Sequence, residues 1–237
     1  MNIVQLIQDF ESTDNETRSV AEGQLREAIN KDPAALVLAC SQGLAQKDLT
    51  DILRHRVCTL MESTLLQSAN GTDELWKSFD NETRQQIKSN LLGTLACPND
   101  EIRKITSNIV SLIFAAELQP NEWPDFLNTL TQAHQNTDIK KSAILTLGKI
   151  CNQLKRKGST LDKDLAELIF NGIFQGMQED ETDYNVKLIT AKALDLSLTL
   201  VKLVFTQEVL REKTWKFLLS LLPTQITVRS SSMLYNV

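Results

Sequence analysis

Apolar and polar residues follow one another along this chain with the period of amphipathic helices. Six times, an anchor residue is followed at once by Arg or Lys, then by a short side chain four positions on and an apolar residue eight on, a rule that fails at Asn236 alone. The six anchor pairs are Thr17-Arg18, Leu53-Arg54, Ile102-Arg103, Ile139-Lys140, Val186-Lys187 and Val228-Arg229. Because a helix turns about 100° per residue, these offsets share one helix face. The pattern predicts six helices of one kind.

The anchors lie 36 to 49 residues apart, and each interval holds two helix-length segments. A period in this range is typical of HEAT and armadillo arrays. We therefore predict an all-α fold, a right-handed HEAT-repeat α-solenoid of about six antiparallel helix pairs. Repeats are expected near residues 1–31, 33–68, 74–117, 122–157, 161–204 and 206–237. The last is cut short and lacks a polar cap, so we expect a fragment of a longer solenoid.

Turn residues divide each repeat into a first and a second helix. The predicted helices span residues 3–10, 16–30, 34–45, 49–67, 81–95, 101–117, 138–154, 162–178, 184–204 and 207–222, with further helices starting near 123 and 227. Residues 70–72 are predicted to form a loop, Asp80 to cap a helix, and Gly158 to stop one. The basic residue after each anchor is expected to bridge to acidic groups of the next repeat.

Composition excludes several functional classes. The net charge of −5 argues against general binding to nucleic acid, which needs clustered Lys and Arg. No stretch reaches the roughly 20 apolar residues of a membrane span, and residues 1–10 do not resemble a secretory signal. Four cysteines are scattered without C-x-x-C spacing, which is typical of reduced thiols in a cytosolic or nuclear protein.

Candidate catalytic groups are few. His55 and His134 lie far apart in the sequence, and neither belongs to a pattern typical of a nucleophile with its base or of a metal site. No glycine-rich phosphate loop occurs, and the acidic residues 179–183 lack the glycine and final Glu of a calcium loop. We predict that the chain is not an enzyme and holds no metal or cofactor.

Two helices carry more apolar residues than one buried face needs. In the helix predicted at 162–178, a core side forms from Leu165, Ile169, Gly172, Ile173 and Gly176. Phe170, Phe174 and Met177 fall on a separate strip. In the next first helix, Trp215 and Leu219 lie off the core side formed by Thr214, Phe217, Leu218 and Leu221. Two explanations stay open: packing between repeats, or an apolar groove that accepts a partner's aromatic side chain.

Several segments, in this order, resemble the amino-terminal HEAT repeats of the importin-β family. They are Leu75-Trp76, Arg84 and Lys88 before Leu91-Leu92, Glu117-Leu118-Gln119-Pro120-Asn121-Glu122-Trp123-Pro124, Leu147-Gly148-Lys149-Ile150-Cys151, Gln175-Gly176-Met177 and Asn185-Val186-Lys187-Leu188. The resemblance covers nearly the whole chain and is strongest from Trp76 to Leu198. It implies a nuclear transport receptor of the cytoplasm, nucleus and nuclear pore.

The resemblance also implies sites. A pocket for phenylalanine-glycine (FG) nucleoporins would have Phe170, Asn171 and Phe174 as one wall. Its other wall would be Glu212, Trp215 and Lys216, with Lys216 replacing an aliphatic residue.

The GTP form of Ran would contact the second helices, through Arg54 and the element Met61-Glu62-Ser63, where Glu62 and Ser63 replace a lysine and an asparagine. Importin-α and cargo would bind mainly to repeats absent here. The alternative is a HEAT scaffold subunit of a phosphatase or coat complex, without a transport role.

Overall fold

The computed structural model describes residues 2–46, 48–68, 71–117, 127–128, 130–131, 137–159, 163–178, 182–197 and 208–221. Eleven α-helices and one 3₁₀ helix have their bounds within this part of the chain. The helices are α1 (Ile3–Phe10), α2 (Asn15–Lys31), α3 (Pro33–Leu44), α4 (Asp51–Gln67), α5 (Gly71–Lys77), α6 (Asn81–Leu95), α7 (Asp100–Glu117), α8 (Thr137–Arg156), α9 (Lys163–Phe174), the 3₁₀ helix Gln175–Met177, α10 (Tyr184–Ser197) and α11 (Glu208–Ser220). The helix predicted near 227 lies outside the described residues.

Polar side chains set the starts of these helices. Asp14, Asp32 and Asp80 each accept a hydrogen bond from the backbone N–H three residues on, at 2.7–2.9 Å. Each bond satisfies an amide that has no partner within the first helical turn. After the C-terminal end of α8, Gly158 adopts a φ of +66°, a conformation that favours glycine. The predicted cap at Asp80 and the predicted stop at Gly158 are both confirmed.

Helices stack in two rows. Among the second helices of the repeats, α4 contacts α7, α7 contacts α8, and α8 contacts α10, and we call these four the second-helix row. Among the first helices, α3 contacts α6, while α1 packs on both α3 and α4. Each helix thus packs on its own pair and on the adjacent repeat, which is the organisation of a HEAT solenoid. The predicted fold class is confirmed.

A glycine permits the close crossing of two helices in the second-helix row. A Cβ atom at Gly148 of α8 would lie 2.7 Å from the backbone Cα of Ala193 on α10. The same crossing is dry, since Leu147, Ile150 and Ala193 are fully buried. Close approach of α8 and α10 therefore depends on the missing side chain at this position.

Helix α5 differs from the prediction, which placed a loop at residues 70–72. Gly71 does turn the chain, with a φ of +81°, but it also begins a helix whose first turn carries Asp73 and Glu74. Acidic side chains at a helix start are favoured by the helix dipole. The indole N–H of Trp76 donates to Oε1 of Glu117 at 2.8 Å, and Lys88 pairs with Oε2 of Glu117 at 2.7 Å. This buried triad joins α5, α6 and α7.

The recurring arginines close the turns of their own repeats. Arg54 donates to the backbone oxygens of Leu44, Gln46 and Leu49 at 2.7–3.3 Å. Arg103 donates to the oxygens of Cys97 and Pro98 at 2.7 and 2.9 Å. These carbonyls end the preceding first helix or its turn, where intrahelical donors run out.

The predicted bridge to the next repeat is therefore wrong for Arg54. Such a bridge is made next to the anchor pair Ile139-Lys140. There, Lys141 of α8 pairs with Asp183, just before α10, at 2.8 Å.

Candidate functional site

The apolar strip of α9 is divided between the core and the surface. Phe170 is fully buried, with 0% of its surface exposed, whereas Phe174 is half-buried and Asn171 is exposed. The rings of Phe170 and Phe174 meet edge to face, with centroids 4.5 Å apart and an interplanar angle of 64°. Phe170 therefore supports Phe174 from below and has no surface to offer a partner. For Phe170, burial favours packing over an open groove.

The opposite side of α9 fixes the orientation of this strip. Ile169 and Ile173 are fully buried, as predicted for the core side. A Cβ atom at Gly172 would lie 2.8 Å from Thr131, and one at Gly176 would lie 2.8 Å from Ile144 of α8. Because α9 is seated this closely, its rotation is fixed, and Phe174 and Met177 stay at the edge of the core as half-buried side chains.

Helix α11 presents its own apolar residues beside the end of α9. Thr214 and Phe217 are buried, while Trp215 and Leu219 are 64% and 61% exposed. Leu218 was predicted on the core side but is also exposed. Helix α11 contacts the 3₁₀ helix Gln175–Met177, which continues directly from Phe174.

We call Phe174, Met177, Trp215, Leu218 and Leu219 the α9–α11 surface. Glu212 and Lys216 occupy exposed positions on α11, next to Trp215 in the helix.

A second candidate region lies on the second-helix row and is charged. Nζ of Lys149 on α8 donates to the backbone oxygen of Lys104 on α7 at 2.6 Å. Burial lowers the pKa of Lys149 to about 8, and the charge of Lys104 adds to this effect, whereas Glu62 on α4 and Glu101 on α7 oppose it. Lys104 itself pairs with Glu101 at 2.6 Å. We call Glu62, Glu101, Lys104 and Lys149 the α4–α8 charge cluster.

The residues predicted to contact Ran fall at or near this cluster. Glu62 and Ser63 are half-buried on α4, and the hydroxyl of Ser63 donates to the backbone oxygen of Leu60 at 2.9 Å. Arg54 lies two helical turns earlier, and its guanidinium is held by the three carbonyls described above. The sequence did not single out Lys149; its place inside the motif Leu147-Gly148-Lys149-Ile150-Cys151 gave no sign of an electrostatic role.

Groups able to do chemistry are buried or dispersed in the described ranges. Within them, no set of three His, Cys, Asp or Glu side chains is placed to hold a metal ion. Burial raises the pKa of the Cys58 thiol to about 11 and that of the Cys151 thiol to about 12, which disfavours the reactive thiolates. His134 lies outside the described residues. Over the same ranges, no helix combines the length and the apolar character that crossing a membrane requires.

Sequence comparison finds relatives of one kind. No protein-family model matches the chain. Importin subunit beta-1 of Arabidopsis thaliana is 24% identical over 218 residues, which cover 90% of this chain, and importin subunit beta-1 of Schizosaccharomyces pombe is 27% identical over 215 residues, which cover 88%. Over nearly all of its length the chain is similar to importin subunit beta-1. It spans about a quarter of the length of these curated relatives.

Solved structures of yeast importin-β, Kap95p, share the fold. Kap95p alone superposes with a TM-score of 0.78, its complex with Nup1 with 0.76, and its complex with RanGDP with 0.77. In each case the identity is 22%, and the match covers 92% of this chain and 26% of Kap95p. The importin-β fold thus extends over nearly all of this chain, and it carries the α9–α11 surface and the charge cluster on different rows of helices.

Proposed function

We propose that this chain is a segment of a nuclear transport receptor that binds FG nucleoporins and the GTP form of Ran and so mediates import of proteins into the nucleus. The observation that carries the proposal is the α9–α11 surface: Trp215 and Leu219 are mostly exposed on α11, and α11 contacts the 3₁₀ helix that follows Phe174 and contains Met177. Large apolar side chains grouped in this way on a folded surface mark binding sites. The similarity to importin subunit beta-1 and the Kap95p complex with Nup1 support a nucleoporin as the partner.

The chemistry of this surface suits short aromatic segments. Burying one phenylalanine side chain contributes roughly 1.5–3 kcal/mol before ordering costs, so one FG contact is weak and exchanges rapidly. Many FG repeats on one flexible chain raise the local concentration of the motif, so the receptor stays in the pore while individual contacts break. Asn171, Glu212 and Lys216 are exposed and form the polar rim of the proposed site, with Phe170 as its buried support.

The FG proposal is tested by binding a fluorescent peptide with several FG repeats to the purified chain. Trp215→Ala removes the most exposed ring of the α9–α11 surface, and we expect binding about five- to tenfold weaker, as for a moderate interface hot spot. Phe174→Ala is expected to act in the same direction. The matched control is Ile52→Ala, which removes a 69% exposed apolar side chain from α4. If both site variants bind the peptide with wild-type affinity, the proposed FG site is wrong.

Ran is proposed to dock on the second-helix row, where Glu62 and Ser63 lie. The Kap95p complex with RanGDP supports a Ran partner for the family. We expect the purified chain to retain Ran loaded with a non-hydrolysable GTP analogue more strongly than Ran loaded with GDP. Because Arg54 is held by backbone carbonyls of its own repeat, we expect it to support the fold rather than to contact Ran.

The same two assays separate transport from the alternative role. A HEAT scaffold of another complex would bind neither the FG peptide nor Ran, and the α9–α11 surface would then serve packing or a different partner. Importin-α and cargo are proposed to bind through repeats that this chain does not contain. The proposed location is the cytoplasm and nucleus, including the nuclear pore.

A further inference from the structure

The α4–α8 charge cluster gathers four charged side chains from three successive members of the second-helix row. Glu62 comes from α4, Glu101 and Lys104 come from α7, and Lys149 comes from α8. Lys104 and Glu101 form an ion pair one helical turn apart, so their charges largely offset one another. The hydrogen bond of Lys149 is to a neutral backbone oxygen, that of Lys104. Two acidic groups, Glu62 and Glu101, act on the charge of Lys149 through space.

Lys149 is therefore a partly desolvated cation at the surface of the row. A carboxylate approaching it gains more than it would at an exposed lysine, because less water has to be displaced and the local dielectric is low. Glu62 works against that approach, since its own negative charge repels a second carboxylate. The two side chains thus make opposite contributions to the binding of a carboxylate.

We propose that Lys149 is a specificity-determining contact for an acidic side chain of the GTPase that docks on the second-helix row, and that Glu62 limits the strength of this contact. The proposal rests on the proposed function, because it assigns a residue to the Ran site. It goes beyond the residues predicted from the sequence, none of which lies on α8.

Binding of this kind is linked to proton uptake. The pKa of Lys149 is about 8 in the free chain, and a partner carboxylate raises it. The charged groups that act on Lys149 are Glu62 from α4 and Lys104 and Glu101 from α7. Affinity is then constant well below pH 8 and falls as the pH rises through 8 toward the higher pKa of the complex.

The experiment measures the affinity of the chain for Ran loaded with a non-hydrolysable GTP analogue, from pH 6.5 to 9.5. For the wild type we expect affinity to fall by about tenfold per pH unit at most once the free lysine deprotonates. Lys149→Arg keeps its charge over this range and is expected to show a flatter profile. Lys149→Met is expected to bind about three- to tenfold more weakly at pH 7, and Glu62→Gln more tightly. The control is Lys77→Met, an exposed lysine of α5 outside the second-helix row, which should match the wild type.

The outcomes are distinguishable. If the wild type and all variants fail to bind Ran at every pH, the Ran part of the proposed function is wrong, and the role of Lys149 falls with it. If the wild type binds Ran but Lys149→Met binds equally well, or if Lys149→Arg keeps the wild-type pH profile, only the role of Lys149 is overturned. Thermal melts of each variant confirm that the fold is kept.

Discussion

The recurring arginines of this chain act as caps that come from the following helix. Arg103 is almost fully buried, and its guanidinium reaches back to the carbonyls of Cys97 and Pro98, which end α6 and its turn. A guanidinium suits this task because it presents several N–H donors in a fixed plane and keeps its charge at all physiological pH values. The same anchor position in α4, Arg54, satisfies three carbonyls of the preceding segment. In these two repeats a single arginine thus fixes the geometry of the turn.

Replacing Arg103 by Met should therefore cost stability. The change leaves two carbonyl oxygens in a half-buried turn without their donor, so we expect a loss of about 1–3 kcal/mol in the free energy of unfolding. Urea denaturation measures it. The control is Lys104→Met at the next position, whose exposed ion pair with Glu101 should contribute less than about 1 kcal/mol. Equal midpoints for the two variants would contradict the capping role.

Lys149 makes stability depend on pH in the alkaline range. Its pKa is about 8 when folded and 10.5 in the absence of the fold. Between these values the unfolded chain keeps a proton that the native chain has lost, so the contribution of Lys149 to stability rises with pH through this window and is constant below it. We expect the unfolding free energy of the wild type, relative to that of Lys149→Met, to increase from pH 8 to pH 10. A difference that does not change with pH would contradict the burial of this amine.

At the scale of single elements, the sequence predicted well the helices whose ends carry caps and turn residues, and it missed one short helix. The bounds of α1 and α6 agree with the prediction, because caps and turn residues mark both ends. Helix α5 was missed because Asn70-Gly71 is a strong turn signal and a seven-residue helix is too short to show a period. The glycine does turn the chain, yet the helix begins at that residue.

The candidate site shows the same division. The helix period identified the strip of Phe170, Phe174 and Met177, but it could not tell that Phe170 is closed over by packing whereas Phe174 stays at the edge. Conversely, Leu218 was assigned to the core side of α11 but is exposed. Which part of a wide apolar face is covered depends on where the neighbouring helix ends, and this information is not local in the sequence. The role of Lys149 depends in the same way on helices α4 and α7.

The crossing of α8 and α10 gives an element-scale prediction. Gly148→Ala places a Cβ atom 2.7 Å from the backbone of Ala193, which cannot move away like a flexible side chain, so we expect a loss of about 1–3 kcal/mol. Gly93→Ala is the matched control, because Gly93 lies in α6 with no atom within 4 Å of the added Cβ, and there alanine should add up to about 1 kcal/mol. Thermal denaturation of both variants measures the contrast. A neutral Gly148→Ala would show that the two helices separate at little cost.

At the scale of the whole molecule, the solenoid has no single centre. Each helix pair packs on its neighbours along the chain, so stability is roughly a sum of repeat and interface contributions. Damage at one junction should then spread to the adjacent repeats and fade beyond them. The buried triad of Trp76, Lys88 and Glu117 is the best place to examine this, because it joins three helices of one repeat through side chains that are 8% exposed for Lys88 and 2% for Glu117.

Glu117→Gln keeps an oxygen for the indole of Trp76 but removes the negative charge that faces Lys88. A buried cation deprived of its carboxylate costs about 3–5 kcal/mol, whereas removing both charges in Lys88→Met/Glu117→Gln should restore most of that loss. In hydrogen exchange, we expect Glu117→Gln to lower amide protection in α5, α6 and α7 while α10 keeps the wild-type rates. An equal loss of protection in α10 would mean that the chain unfolds as one cooperative unit rather than repeat by repeat. A double variant no more stable than Glu117→Gln would mean that Lys88 does not depend on the charge of Glu117.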